Sequence, residues 1–244
     1  MGATALEFRL RMAINAAIIV LGVWAPWVPV EQRLYALEWL SREAARAGLM
    51  PFSTAVTALL IVSGVLAALA VTLRVWGTAW LGPATVTGLD MKASSVVASG
   101  PYRYLRNPLY MGLWCMVAAI ALLMQPSGAA VSMVLLTVFL LRLTLGEEAF
   151  LSARLGNPYR AYLRAVPRFL PRLRNNLPRS DARPQWVRAV LSELMPIGVL
   201  VAVVVFARTY DAHLMTRIIL IGLGCSLVAR AFLPRANSGS RAPA

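Results

Sequence analysis

Apolar residues run along this chain in long blocks separated by shorter polar ones. Six blocks can be drawn. The first extends from about Met12 to Val30 and the second from Phe52 to Leu73. The third and fourth, Leu109–Met124 and Ala129–Leu145, meet across Gln125-Pro126-Ser127-Gly128, a tight-turn signal. The last two are Leu191–Ala207 and Met215–Phe232. A bilayer core of ~30 Å asks for ~20 apolar residues per helix. The third and fourth blocks are short by that measure and predict a helical hairpin that completes its burial against neighbours. Between the first two blocks, Glu31–Gly48 has a different rhythm. Leu34, Leu37, Trp39, Leu40 and Ala44 recur at roughly helical spacing among Glu31, Arg33, Glu38, Arg42, Glu43 and Arg46. That spacing predicts an amphipathic helix lying in the interface. The fold expected is all-α: a polytopic transmembrane bundle of about six spans plus one interfacial helix.

Composition agrees. The 244 residues are 59% hydrophobic and 14% charged, against about 25% charged in soluble domains. The first apolar block has no small-residue cleavage site and is long enough to span, so it reads as retained. The formal charge is +14, and every basic residue but Lys92 is arginine. In a membrane protein such an excess orients the chain by the positive-inside rule, and nucleic acid is excluded as a partner on that ground. Arginines beside spans also hold anionic head groups. The segment Arg154–Arg188 has nine arginines and one acid, Asp181, and its prolines argue against one long helix. If that segment is cytoplasmic, the connection Arg74–Pro108 and both termini fall on the same side. The opposite side receives Glu31–Met50, where acids balance arginines, and the short Arg208–Arg217 loop. The expected localisation is an integral, multi-pass membrane protein with both termini and the active face cytoplasmic.

Cys115 and Cys225 lie in apolar runs and read as small buried hydrophobes. One histidine, His213, beside Asp211, reads as a solvated turn residue; no metal site is expected. Two charges fall in apolar blocks, Arg142 and Glu193. Arg142 reads as snorkelling toward the basic face. No repeat of 20–50 residues is visible. The chain divides into residues 1–73 (N-terminal spans and interfacial helix), 74–171 (a core with the hairpin), 172–233 (basic linker and last hairpin) and 234–244 (a disordered tail).

Polar chemistry concentrates in two places. One is GPYRYLRNPLYMG, Gly100 to Gly112. The other is GEEAFL, Gly146 to Leu151, followed by GNPYRAYLRAVPRFLP, Gly156 to Pro171. Arg106 and Glu147 each lie about 20 residues from the hairpin turn, so a rise of ~1.5 Å per residue brings them to similar depth. The hairpin is expected to join Arg106, Asn107 and Tyr110 to Glu147 and Glu148 at one rim. Adjacent helical residues point ~100° apart; one glutamate faces the site while the other pairs with an arginine. Such a rim suits a zwitterionic small molecule with an aromatic ring, and S-adenosylmethionine is one candidate among several. The plainer assignment makes the arginines orientation anchors and the tyrosines belt aromatics. Charged groups at the edge of hydrocarbon are costly unless paired or used, which weighs for the set. Pro108 suits the first turn of the third span with Asn107 as N-cap. Gly112 and Gly146 permit close approach of a helix or a ligand, and packing is the simpler assignment.

Taken together, these motifs resemble the isoprenylcysteine carboxyl methyltransferase and phospholipid methyltransferase superfamily over about Arg74–Pro171. The stretch RVWGTAWLG, Arg74 to Gly82, is also similar to that family's approach to the motif. The resemblance implies an integral membrane methyltransferase that uses S-adenosyl-L-methionine, with S-adenosyl-L-homocysteine as product, and no Rossmann domain. Carried over, it nominates Arg106, Pro108, Tyr110, Glu147 and Glu148 around the cofactor, with Glu147, Glu148 and Arg106 as catalytic. Gly100 and Tyr102 match the GPY element, Asn107 the family's histidine, and Tyr159 and Tyr162 the closing segment. Asparagine keeps a hydrogen bond to adenine or ribose but is no general base. A carboxylate or thiolate acceptor needs none, whereas a lipid amine must first lose a proton. The expectation therefore tilts toward a lipophilic carboxylate or thiol acceptor entering from the bilayer. The alternatives are a catalytically inactive binding or scaffold protein on the same fold, and a membrane reductase of related fold.

Overall fold

The computed structural model describes residues 2–24, 34–81, 98–172 and 183–232. Ten α-helices lie in these stretches, with no strand among the described residues. They are α1 (Ala5–Arg9), α2 (Arg11–Trp24), α3 (Ala36–Arg46), α4 (Phe52–Leu81), α5 (Pro108–Ala121), α6 (Pro126–Leu155), α7 (Asn157–Ala165), α8 (Trp186–Ser192), α9 (Leu194–Thr209) and α10 (Ala212–Phe232). A single 3-10 turn, Gly100–Arg103, precedes α5. The all-α expectation holds. The end of the first apolar block, Lys92 with most of its connection, Asp181 and the expected tail fall outside the described residues.

The expected count of about six spans is not confirmed among the described residues. Six apolar helices, α2, α4, α5, α6, α9 and α10, sit where the six blocks predict them. Among the described residues, α4, α6 and α10 are long and apolar enough to cross. A fourth crossing exists if α8 and α9, bent by 65° at their junction, count as one span. The other two, α2 and α5, have 14 residues each, about 21 Å at helical rise. Proline explains α5: Pro108 opens it, and Gln125-Pro126 starts the next helix before the first can lengthen.

Large apolar side chains point outward along the long helices: Ile61, Val62 and Val65 of α4, Val134 and Val138 of α6, Leu220 and Ile221 of α10. In water such faces would be a liability; against lipid they are the proper surface. Inside, small residues bring backbones together, as membrane helix contacts favour. Gly22 of α2 and Gly128 of α6 touch so closely that neither site has room for a Cβ. Buried hydroxyls find carbonyls across helices, Ser63 on Ala119 at 2.9 Å and Ser132 on Ile18 at 3.3 Å. The amphipathic α3 docks on the hairpin turn, with the Ala36 and Leu37 amides donating to the Met124 and Leu122 carbonyls, both at 2.8 Å.

That docking marks one rim of the bundle. At the opposite rim α2 starts, α4 ends, α5 starts, α6 ends, α9 starts and α10 ends. Three pairings tie this rim together: α5 to α6, α4 to the α8–α9 junction, and the N-terminal segment to α6. Arg142 does not simply snorkel there. It donates to Glu7 of α1, with the closest approach 2.9 Å. Cys115 is buried as expected, but Cys225 is exposed on α10. His213 is exposed in the first turn of α10, where Asp211 caps the Leu214 amide at 2.9 Å.

Candidate functional site

The 3-10 turn begins at Gly100, whose φ of +55° favours glycine. The absent side chain also matters, because a Cβ there would strike the Trp80 ring. Pro101 fixes the next φ, and the chain then buries Tyr102. Its backbone is held from behind, since the Tyr162 hydroxyl of α7 donates to the Tyr102 carbonyl at 2.8 Å. Tyr159, Tyr162 and Val166 form a small apolar cluster that fixes α7 beneath this turn. The segment after α7 completes the clamp. The Arg106 amide donates to the Pro167 carbonyl, and the Arg172 amide to the Tyr104 carbonyl, both at 3.0 Å.

The hairpin brings the arginine corner to the acidic doublet. The Tyr110 hydroxyl donates to Glu147 at 2.8 Å. Arg106 Nη1 donates to Glu148 Oε1 at 2.8 Å. Arg168 grips the same Glu148 from the other side, Nη2 to Oε2 at 2.7 Å and Nε to Oε1 at 3.0 Å. The two glutamates part company as adjacent helical residues must, Glu148 between two guanidiniums and Glu147 on a neutral phenol. Asn107 occupies the N-cap position of α5 but makes no capping bond. Its side-chain amide donates instead to the Arg168 carbonyl at 3.1 Å, so it stitches the corner to the segment after α7. Pro108 is fully buried as the first residue of α5.

Several buried donors at this rim lack a hydrogen-bond partner among the described residues: Tyr102 Oη, Arg106 Nε and Trp80 Nε1. Buried polar groups are normally satisfied, so such atoms ask for a ligand. Burial holds the Tyr102 hydroxyl well above the usual tyrosine range, with Tyr162 and Glu147 adding to the effect. Burial pushes Tyr159 up to about 12 and raises Tyr162 as well. These phenols are neutral donors at neutral pH. Arg168 is raised by its hydrogen bond to Glu148.

A second polar cluster adjoins the first. Glu193, 1% exposed, sits at the α8–α9 bend and accepts from Arg74 Nε at 2.6 Å, Arg74 Nη2 at 3.2 Å and Thr78 Oγ1 at 2.8 Å. Gly112 of α5 makes this possible, because a Cβ there would stand 2.7 Å from Arg74 Cγ. Gly77, between Arg74 and Thr78, faces the Tyr102 hydroxyl. No ligating cluster of His, Cys, Asp or Glu exists among the described residues.

All ten nominated residues, Gly100, Tyr102, Arg106, Asn107, Pro108, Tyr110, Glu147, Glu148, Tyr159 and Tyr162, thus gather at one rim. Sequence reasoning missed Arg168, Trp80 and the Arg74–Glu193 pair as parts of it. Arg168 stands beside the closing Val166-Pro167 pair, which was a usable signal. The partner of Glu193 is 119 residues away in sequence, and no local pattern announces it.

An all-α membrane protein with a built polar site at one rim is the class these features define. Residues 58–157 match the family model described as phospholipid methyltransferase, a family that belongs to the integral membrane methyltransferase superfamily. No curated protein and no solved structure matches.

Proposed function

We propose that this protein transfers a methyl group from S-adenosylmethionine to a lipophilic acceptor in the bilayer, at the rim formed by the 3-10 turn, α5, α6 and α7. The observation that carries the reading is the pairing of Arg106 and Tyr110 with the Glu147–Glu148 doublet inside the family-matched segment. When bound, the cofactor supplies an electrophilic methyl carbon on a sulfonium. The unpartnered donors fit its acceptor-rich parts: Arg106 and Tyr102 toward a carboxylate or hydroxyls, with Trp80 Nε1 beside them. Glu147 supplies an acceptor for an ammonium or ribose hydroxyls.

The division between the glutamates assigns their work. Glu148, held by Arg106 and Arg168, fixes the walls. Glu147 is the carboxylate with a neutral hydrogen-bonded partner and takes a proton where the acceptor must lose one. Asn107 does not serve as base, and its amide is committed to the Arg168 carbonyl. A carboxylate or thiolate acceptor needs no base, and its charge is cancelled on methylation, which a site of low dielectric favours. A lipid amine relies on Glu147. The apolar outer faces of α4 and α6 support acceptor entry from the membrane, and the basic rim supports cofactor entry from the cytoplasm.

The test is calorimetry with S-adenosylhomocysteine on folded, detergent-purified protein, followed by radiolabelled methyl transfer to fractionated membrane lipids and lipophilic thiols. Binding and labelling of an extractable lipid are expected. No heat from well-folded samples would remove the cofactor. Glu147→Gln separates the acceptors at saturating cofactor: transfer to an amine falls far more than transfer to a carboxylate or thiolate.

A further inference from the structure

The matched segment begins at residue 58 and leaves the N-terminal residues without a role, yet they are built onto the site. Gly2 lies against Gly146, and a Cβ on Gly2 would stand 2.8 Å from the Gly146 nitrogen. The Ala3 amide donates to the Arg142 carbonyl at 2.7 Å. Thr4 and Glu7 form a capping box that starts α1, and Glu7 accepts from the Arg142 guanidinium. Phe8 is buried in one apolar cluster with Val117, Phe139 and Leu143, and Tyr110 packs on that same cluster. Arg11, 7% exposed, places its guanidinium 4.1 Å from the centre of the Phe8 ring and donates to the Phe8 carbonyl at 2.9 Å. A buried cation needs compensation, and the hydrogen-bonded Tyr110–Glu147 pair lies on the two elements that Phe8 and Gly2 pack against.

We propose that Gly2–Arg11 forms one wall of the candidate site, and that Arg11 is the positioning residue that fixes the Glu147 carboxylate on the Tyr110 hydroxyl. The segment contacts α6 at Gly146, one residue before Glu147, and Phe8 carries Arg11 to the cluster that holds Tyr110. The wall itself stands on these contacts. Its effect on a ligand rests on the methyltransferase reading above.

The test uses the full chain and two measurements. Thermal unfolding of Arg11→Met, Glu147→Gln and the double variant forms a cycle that needs no ligand. The double variant is expected to be less destabilised than the sum, because removing both charges leaves neither unpaired. Additive losses would overturn the pairing. If Arg11→Met does not fold, Arg11→Gln runs the same cycle. In S-adenosylhomocysteine calorimetry, Arg11→Met is expected to weaken binding about tenfold, equal to about 1.4 kcal/mol. Arg11→Lys, which keeps the charge, should stay within about threefold of wild type. Wild-type binding by Arg11→Met, or equal losses in the Met and Lys variants, would overturn the assignment. Wild-type protein that gives no heat overturns the cofactor reading instead, and the thermal cycle still decides the wall.

Discussion

At the scale of single residues, Glu147 and Glu148 are neighbours in sequence and opposites in environment. Glu148 accepts three hydrogen bonds from two guanidiniums, while Glu147 accepts one from a phenol. Removing one partner of a buried ion pair costs about 3–5 kcal/mol, because the other charge is left uncompensated. Losing one neutral hydrogen bond costs about 1 kcal/mol. Glu148→Ala should therefore lower the thermal midpoint far more than Tyr110→Phe, read by unfolding in detergent. Equal effects would mean that Arg106 and Arg168 find other partners. The pairing of Arg106 with the doublet was legible in the sequence, because helical rise alone sets both ends of a hairpin at one depth. Which glutamate takes the arginine was not, since that depends on the rotation of α6 against α5. The commitment of the Asn107 amide was equally hidden, because its acceptor is the backbone of Arg168. An Asn107→His variant keeps a ring N–H for that carbonyl and is expected to fold normally. Loss of folding would show that the corner has no room for a ring.

At the scale of elements, glycine decides where helices touch. Gly112→Ala pushes a Cβ against the Arg74 side chain and should dislodge it from Glu193, with a large loss of thermal stability. Gly64→Ala on α4 is the control: nothing stands within 4 Å of its Cβ, and alanine is the better helix former by roughly 0.5–1 kcal/mol. Similar midpoints for the two variants would refute the packing argument. The first helix has an electrostatic latch. The hydrogen bond from Arg142 and the Thr4 amide hold the Glu7 carboxyl below its ordinary range. A lowered value means that the latch is fully present above the ordinary carboxylate range. It is lost as pH falls through the lowered value. Amides of α1 should exchange faster at low pH once intrinsic rates are corrected, and α6 amides should not follow. The amphipathic α3 and the hairpin were readable from periodicity and turn residues. The 65° break between α8 and α9 has a local source in Pro196, which has no N–H for the Ser192 carbonyl, whereas the ion pair that Glu193 makes there with a distant helix has no local signal.

At the scale of the molecule, the charge pattern and the helix directions agree. Arg74, Arg106, Arg168 and Arg188 all belong to the rim where the site lies, while Arg42 and Arg46 at the α3 rim are matched by Glu38 and Glu43. On the positive-inside rule, we propose that this rim is the cytoplasmic one. Single cysteines at Ser53 and Ser152 should be labelled from opposite sides of sealed vesicles, with Ser152 reached from the cytoplasmic side. Labelling of both from one side would refute the topology. The six apolar blocks located the six apolar helices in order, since hydropathy is a local property. How many of them cross alone is a question of length against the bilayer, and α2 and α5 fall short of it within the described residues. The clasp of Arg74 on Glu193 also has a consequence for biogenesis. Translation delivers the arginine long before its carboxylate, and neither charge is welcome in hydrocarbon by itself. Until the ribosome has released the final pair of helices, the nascent chain carries a cation awaiting its counterion, and a chain stopped early should be recognised by membrane quality control.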